Sequence, residues 1–384
     1  MVKKMFSRCK QHEKNAVINI KGRWGLRLLF GFDPLYTKIS LKAKPMDTER
    51  RLLYLCLMRM GFLRPRERLL LANLFSNTAE FLRLTKASLE FVLKRRLRQP
   101  NFKVAEYFKQ AEQDQRYLTE AGIICTFYGE KNYPPLLAEI YDPPLVLYLR
   151  GEVELLLQTE MYAVVGTRQP SGRGRDSAFR LGLELAEAQR PVVSGLAQGI
   201  DSAAHAGCIS AFGKALAVLG NGIDSVYPKS NRPLAAKILK TGGLIMSEYP
   251  PGLAPLKHHF PARNRIISGL AKAVIIVEAP IHSGSLITAD YALEQGRELL
   301  IHATGLSGPK SAGLKPLLAD GARIISSAQE LWSGGESDII FQEGYNYSEP
   351  SLNNLSQAEL LELELAGRLI IHNGKIIWRN KNGA

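Results

Sequence analysis

From residue 162 onward the chain repeats one pattern: a short apolar run, a turn rich in glycine and small polar residues, then a helical stretch. Apolar runs fall at 162–165, 191–193, 215–219, 243–246, 273–277, 298–302 and 322–325, and helical stretches at 176–189, 201–212 and 232–240 separate several of them. Strands alternating with helices imply parallel βαβ units and a doubly wound α/β sheet. The run 273–277, AVIIV, is apolar on both faces, as a central strand covered by helices on both sides must be. Two further short strands are expected at 123–127 and 145–149, flanking YPPLLAEIYDPP.

In such sheets ligands bind outside the carboxyl ends of the strands. Those ends read GTRQPSGRGRDS, SGLAQGID, GNGID and SEYPPG, and the fifth is followed by Ser283-Gly284-Ser285 and a helix over about 286–295. Glycine at these turns permits positive φ and lets a ligand approach the backbone. Small residues opening a helix bare backbone N–H groups where the macrodipole favours anions. The cationic cluster Arg263, Asn264, Arg265 lies just upstream, before a short helical stretch ending near Gly269. Together these turns point to a phosphate or nucleotide site.

Composition narrows the class. A hydrophobic share of 46% with 22% charged residues is ordinary for a globular chain of 384 residues, enough for two or three domains. Cys9, Cys56, Cys125 and Cys208 are far apart with no CxxC pair, which suggests neither a zinc site nor a disulfide framework and fits a reducing cytoplasm. No apolar run reaches the length of a membrane span. The net charge of +14 invites a nucleic-acid reading, but eleven cations against Glu13 and Asp33 sit in residues 1–45 and supply +9 of it. That extension is read as upstream of a true start at Met46, with a disordered basic arm and then a targeting presequence as the alternatives.

The helical periodicity of RLLYLCLMRMGF, ERLLLANLF and AEFLRLTKASLEFVLKRRL predicts a small helical domain over 46–115. Residues 116–333 form the sheet domain and the acidic, turn-rich 334–353 a linker. In 354–384 an amphipathic helix at 356–365 precedes two apolar runs around Asn373-Gly374, the preferred two-residue type I′ hairpin turn.

At this point the residues resemble a known family, the DNA-processing protein A family of bacteria (DprA, also called Smf). GTR at 166–168, SGLAQGIDSAAH at 194–205, LGNGIDSVYP at 219–228, SEYPPG at 247–252, FPARNRIISGL at 260–270, VEA at 277–279, SGSLITA at 283–289 and DGA at 320–322 occur in family order. The resemblance covers roughly 48–331 and the last thirty residues. It implies an extended Rossmann-like, mostly parallel sheet, a SAM-like domain for the N-terminal helices and a truncated winged-helix-like element at 354–384. It also implies a non-catalytic, cytoplasmic homodimer without cofactor, which protects incoming single-stranded DNA and helps load the RecA recombinase during natural transformation. Arg168, Lys257, Phe260 and Arg263 match the positions that line the family's DNA pocket. Gly166, Thr167 and Asn264 complete the candidate set, with Ser171 and Arg173 as second-tier contacts.

Single strands are bound by a cationic track with aromatic platforms for the bases, so Arg168, Lys257 and Arg263 suit the track and Phe260 a platform. Phe260 packed beneath its loop is the plainer alternative, and Arg265 is as compatible with pairing to Glu278 or Asp290 as with DNA. Three departures from the family stand out: Ala303-Thr304-Gly305 after the sixth parallel strand, Lys315 within SAGLKPLL, and the basic extension. The rival reading is a Rossmann-like nucleoside monophosphate hydrolase. Its acid/base glutamate would fall near Ala289 and Asp290, where none stands. Asp201 and His205, four apart, mimic a catalytic pair but more simply stabilise a helix start. No GxGxxG follows the first strand, no P-loop occurs, and His258-His259 lacks a third ligand, so no dinucleotide, ATP or metal site is expected.

Overall fold

The structure is a computed structural model, and it describes residues 46–332 apart from 76, 100 and 309, together with the backbone of two strands at 369–372 and 375–378. The expectations for residues 1–45, the linker 334–353 and the helix at 356–365 lie outside the described residues. Two compact units are separated at Gly335 and Glu336.

The first unit begins with five helices: α1 (Thr48–Arg59), α2 (Pro65–Leu74), α3 (Thr78–Leu82), α4 (Lys86–Leu93) and α5 (Val104–Glu120). Asp47 caps α1 by accepting from the Arg50 N–H at 2.8 Å, satisfying one of the orphan donors of a helix start. Leu53, Tyr54, Leu57 and Phe81 are fully buried among these helices, and each such side chain contributes about 1.5 to 3 kcal/mol by leaving water. The helices share one apolar core with a face of the sheet, where the Tyr54 and Phe127 rings meet at 6.2 Å.

Nine strands follow: β1 (Ile124–Phe127), β2 (Val146–Gly151), β3 (Tyr162–Val165), β4 (Val192–Ser194), β5 (Ala215–Leu219), β6 (Leu244–Ser247), β7 (Ala273–Ile276), β8 (Glu298–His302) and β9 (Arg323–Ile325). The short helix α6 (Pro135–Ala138) lies between β1 and β2. Interleaved with the later strands are α7 (Gly172–Glu187), α8 (Ile200–Ser210), α9 (Arg232–Lys240), α10 (His259–Leu270), α11 (Gly284–Glu294) and α12 (Lys315–Ala319). The strand order is β1-β2-β6-β5-β4-β3-β7-β8-β9. Every pair from β6 to β9 is parallel, whereas β1 and β2 run antiparallel at one edge. The doubly wound, mostly parallel α/β sheet is thus as expected.

The topology fixes where a ligand can go. The chain winds outward from β3 through β4, β5 and β6, then returns to lay β7 on the other flank of β3. Connections from β3 and β7 therefore leave on opposite sides, and a crevice opens above their carboxyl ends. Both strands are buried throughout.

Two helices begin earlier than expected. Ser171 caps α7 at Gly172, four residues before 176, because its hydroxyl accepts from the Gly174 N–H at 2.9 Å. The FPARNR segment lies inside α10, not ahead of it, since Pro261 falls in the first turn, where a missing N–H costs nothing. In the second unit Leu369–His372 and Lys375–Trp378 pair antiparallel, with His372 opposite Lys375, a register that suits the expected two-residue connection.

Candidate nucleic-acid interface

A cleft of about 670 Å³ opens at the switch point, within the range of small-ligand sites. Its walls come from the segments after β3, β4, β5, β6 and β7 and from α10 and α11. Of the expected residues, Gly166, Thr167, Arg168, Lys257, Phe260, Arg263 and Asn264 line it.

Phe260 is the centre of the cleft's aromatic wall. Its ring rests against Gly220 at the end of β5, where an added Cβ would come within 2.8 Å of it. Glycine in the LGNG turn therefore makes room for a side chain of the protein itself. The Arg168 guanidinium lies 5.4 Å from the Phe260 ring centroid, and the Tyr227 ring is tilted at 5.5 Å on the same ring. Arg168 is exposed, and Tyr227 retains 44% of its surface. Lys257 sits three residues ahead of Phe260 in the fully exposed run 254–258. This combination presents π faces and exposed cations at one mouth.

Opposite stands the N-terminus of α11. Ser283 caps it, accepting from the Ser285 N–H at 3.4 Å, and the two hydroxyls are 2.7 Å apart. Asn264 ties α10 to this end by donating to the Gly284 carbonyl at 3.1 Å. The dipole of α11 thus faces the cleft that Arg168 and Lys257 border.

Several of the expected residues have partners within the protein. Arg263 is only 4% exposed, and its Nη1 donates to the Gly195 carbonyl at 2.7 Å and also to the Val218 carbonyl. Those carbonyls end β4 and lie in β5, so the guanidinium locks two strands beneath the cleft floor. A Cβ on Gly195 would collide with it, which explains the glycine of SGLAQGID. Burial lowers the Arg263 pKa to about 10, against the attraction of Asp201. Thr167 spends its N–H on the Glu278 carbonyl at 2.8 Å and accepts from the Ile200 N–H at 3.2 Å, fastening β3 to β7 and α8.

Ser171 and Arg173 do not reach the cleft lining. Ser171 donates its N–H to Glu278 at 2.9 Å and its hydroxyl to the other carboxylate oxygen, while Arg173 is exposed on the first turn of α7. Arg265, 1% exposed, pairs with neither Glu278 nor Asp290. It donates to Glu248 at 2.7 Å and Asp142 at 3.1 Å. Burial alone would depress its pKa, but the two carboxylates outweigh burial and raise it.

Asp201 and His205 lie on α8, and Asp201 is part of the cleft lining whereas His205 is not. Asp201 accepts from the Gly195 N–H at 3.0 Å, and burial raises its carboxyl pKa against the pull of Arg263. His205 is fully buried, which lowers its pKa to about 4. The departing loop after β8 is anchored: Thr304 bonds Ser177 at 2.8 Å, Gly313 donates to Ala279 at 3.0 Å, and Lys310 donates to the Gln169 carbonyl. Lys315 is exposed as the first residue of α12.

Sequence reasoning missed Tyr227, Gln169 and His282 in the lining. Tyr227 had one available signal, an aromatic residue before proline in a turn at a strand's carboxyl end. Among the described residues no cluster of three or more His, Cys, Asp or Glu could hold a metal ion, and no helix is long and apolar enough to cross a membrane.

Fold and cleft together define a doubly wound α/β protein that presents cations, a pair of tilted aromatic rings and a helix N-terminus at its switch point. Residues 124–335, more than half of the chain, match the model of the DNA recombination-mediator protein A family, and the chain belongs to that family. It is 40% identical over 231 residues to the DNA processing protein DprA of Bacillus subtilis, which covers 60% of this chain and 76% of that protein. The crystal structure of DNA processing protein A from Streptococcus pneumoniae overlaps 74% of this chain and 98% of its own, with a TM-score of 0.60 and 34% identity. A further structure, described for the single-stranded DNA binding mode of DNA processing protein A from Helicobacter pylori, overlaps 54% of this chain and 93% of its own, at 31% identity and a TM-score of 0.49.

Proposed function

We propose that the switch-point cleft binds single-stranded DNA without sequence preference and without catalysis. The observation that carries this reading is the cluster of Arg168, Phe260 and Tyr227, with Lys257 on the exposed segment beside it. A base has a π face whatever its identity, so stacking on Phe260 or Tyr227 is sequence-tolerant, contributing about 1 to 3 kcal/mol per base. Arg168 and Lys257 supply charge to the backbone phosphates, and the amides opening α11 supply a neutral anion seat. Arg263 sits beneath the floor as a buried positive charge, not as a surface contact. In a duplex the bases are paired and stacked upon each other, so their faces are not available to these rings.

On the family likeness we extend the proposal to the whole chain. It acts as a cytoplasmic homodimer that protects incoming strands and delivers them to the RecA recombinase during natural transformation. Residues 46–115 form an accessory SAM-like module beside the sheet domain 116–333, with a linker at 334–353 and a truncated winged-helix-like element at 354–384. Cys56, Cys125 and Cys208 are free thiols, in keeping with a reducing compartment.

The test is fluorescence anisotropy of a labelled oligonucleotide, single-stranded and then duplex, competed with nucleoside monophosphates. The expected result is preference for the single strand and loss of that binding in the Arg168→Ala, Lys257→Ala double variant. Equal binding by parent and variant, or displacement by a nucleoside monophosphate at micromolar concentration, would give the cleft to a different ligand, with the hydrolase reading first in line.

A further inference from the structure

The DNA cleft has two walls built from loops without regular structure, one bearing Tyr227 after β5 and the other bearing Lys257 after β6. These loops are tied to each other. The Gly222 N–H donates to the Leu253 carbonyl at 2.8 Å, and the Gly252 N–H donates to Asp224 Oδ1 at 2.8 Å. Beyond this knot the chain runs exposed through 254–258 before α10 begins, so the placement of Lys257 depends on how firmly 250–253 is held.

What holds it comes from the N-terminal helices. Arg59, the last residue of α1, donates from Nη2 to the Pro251 carbonyl at 2.8 Å. The same guanidinium grips Asp114 of α5 through both nitrogens of its fork, Nε to Oδ2 at 2.5 Å and Nη2 to Oδ1. Asp114 is buried, and Arg59 keeps one fifth of its side-chain surface. A buried carboxylate thus fixes the direction of a planar fork whose free donor is aimed at a loop carbonyl, a task the point charge of a lysine performs poorly. Asp224, which receives the Gly252 N–H, lies close enough to Arg59 for electrostatic attraction, so both halves of the knot face one guanidinium.

We propose that Arg59, oriented by Asp114, is a positioning residue for the DNA cleft, through which the helical module sets the affinity of the sheet domain for single strands. The inference rests on the cleft being the DNA site, and its consequence is that Arg59 alters binding without touching DNA. Coupling of this kind needs a contiguous contact path, here Asp114, Arg59, Pro251 and then the knot below Lys257 and Tyr227.

The experiment uses the full chain and two readouts. In the first, amide hydrogen exchange is compared for the parent, Arg59→Ala, Arg59→Lys and Asp114→Asn. Faster exchange confined to the 222–224 and 251–257 segments, with β8 and β9 unchanged and Arg59→Lys intermediate, supports the brace. Uniform acceleration, or none in these segments, overturns it whatever the cleft binds. In the second, anisotropy is read for Arg59→Ala, Lys257→Ala and the double variant. Arg59→Ala is expected to weaken single-strand binding by about 2- to 30-fold, the range for residues coupled along a contact network, and to have a smaller effect once Lys257 is gone, since only the Tyr227 side of the knot is then left to act on. Fully additive effects would show that Arg59 does not act through this wall. If Lys257→Ala is itself neutral, the assignment of the cleft to DNA fails, while the exchange data still decide whether the brace exists.

Discussion

Arg168 and Arg263 both line one cleft but differ in burial, and a pair of alanine variants can separate the tasks we propose for them. Arg263→Ala removes the partner of two carbonyls, Gly195 and Val218, and takes a cation away from the buried Asp201. Each carbonyl left dry costs about 1 to 3 kcal/mol. Stranding a buried charge by deleting its partner costs about 3 to 5 kcal/mol in comparable cases. These terms overlap, because water entering the vacated space relieves part of both, so the expected loss is about 3 to 5 kcal/mol. For a domain of this size that lowers the melting temperature by about 6 to 20 °C. Arg168→Ala, by contrast, deletes an exposed side chain whose neighbour is the face of Phe260. Stability should stay within about 0.5 kcal/mol of the parent. Its effect belongs in binding, where one phosphate contact fewer makes the slope of log K against log salt shallower by about 0.7. Urea unfolding and a salt series of anisotropy titrations measure the two quantities independently. The reasoning is refuted if Arg263→Ala unfolds like the parent while losing DNA, or if Arg168→Ala destabilises the fold by more than about 1 kcal/mol.

Phe260→Ala and Tyr227→Ala should each weaken single-strand binding by about 1 to 3 kcal/mol without changing the salt slope, because rings contribute stacking and not charge; a changed slope would mean that the phosphate track had moved. Ser171→Ala removes the cap of α7 and a donor to Glu278, so it should cost about 0.5 to 2 kcal/mol of stability and leave affinity intact, and lost affinity with an unchanged melt would restore Ser171 as a contact. His205 is neutral in the folded state down to a pKa of about 4, whereas the unfolded chain protonates it near 6.5. The folded form is therefore favoured fully above pH 6.5 and loses about 3 kcal/mol as pH falls to 4, while Asp201, whose pKa burial raises, acts in the opposite sense over part of that window. Unfolding free energies of the parent and of His205→Leu, measured from pH 7 to 4, should converge by that amount, and parallel curves would show that His205 does not titrate as its burial demands.

The fold was legible because burial leaves its mark on composition. Strands covered on both faces must be apolar throughout, so AVII of β7 and ALAVL of β5 announce themselves without any neighbour being known. Helix starts were less legible: α7 begins at a serine cap embedded in a charged, glycine-bearing stretch whose periodicity is not yet apolar. Most of the cleft lining was legible in the motifs, but the packing of its individual side chains was not. Glycines at the strand ends marked the crevice correctly, yet the sequence suggested that a ligand would approach them, whereas Gly195 and Gly220 receive Arg263 and Phe260. Charge alone cannot tell a surface arginine from a buried one, since the distinction lies in which carbonyls and carboxylates the fold brings within reach. Arg168, Arg263 and Arg265 have the same side chain within one motif series, and their partners are an aromatic face, two strand carbonyls and two carboxylates respectively. For Arg263 those partners, Val218 and Gly195, lie 45 and 68 residues away in sequence, and for Arg265 the carboxylates of Glu248 and Asp142 lie 17 and 123 residues away. Tyr227 was overlooked for the same reason, because its ring acquires a purpose only when α10 folds back over the β5 turn and sets Phe260 beside it. A motif series can therefore locate a cleft, but the division of its cations into those that build the floor and those that meet the ligand is written in long-range contacts.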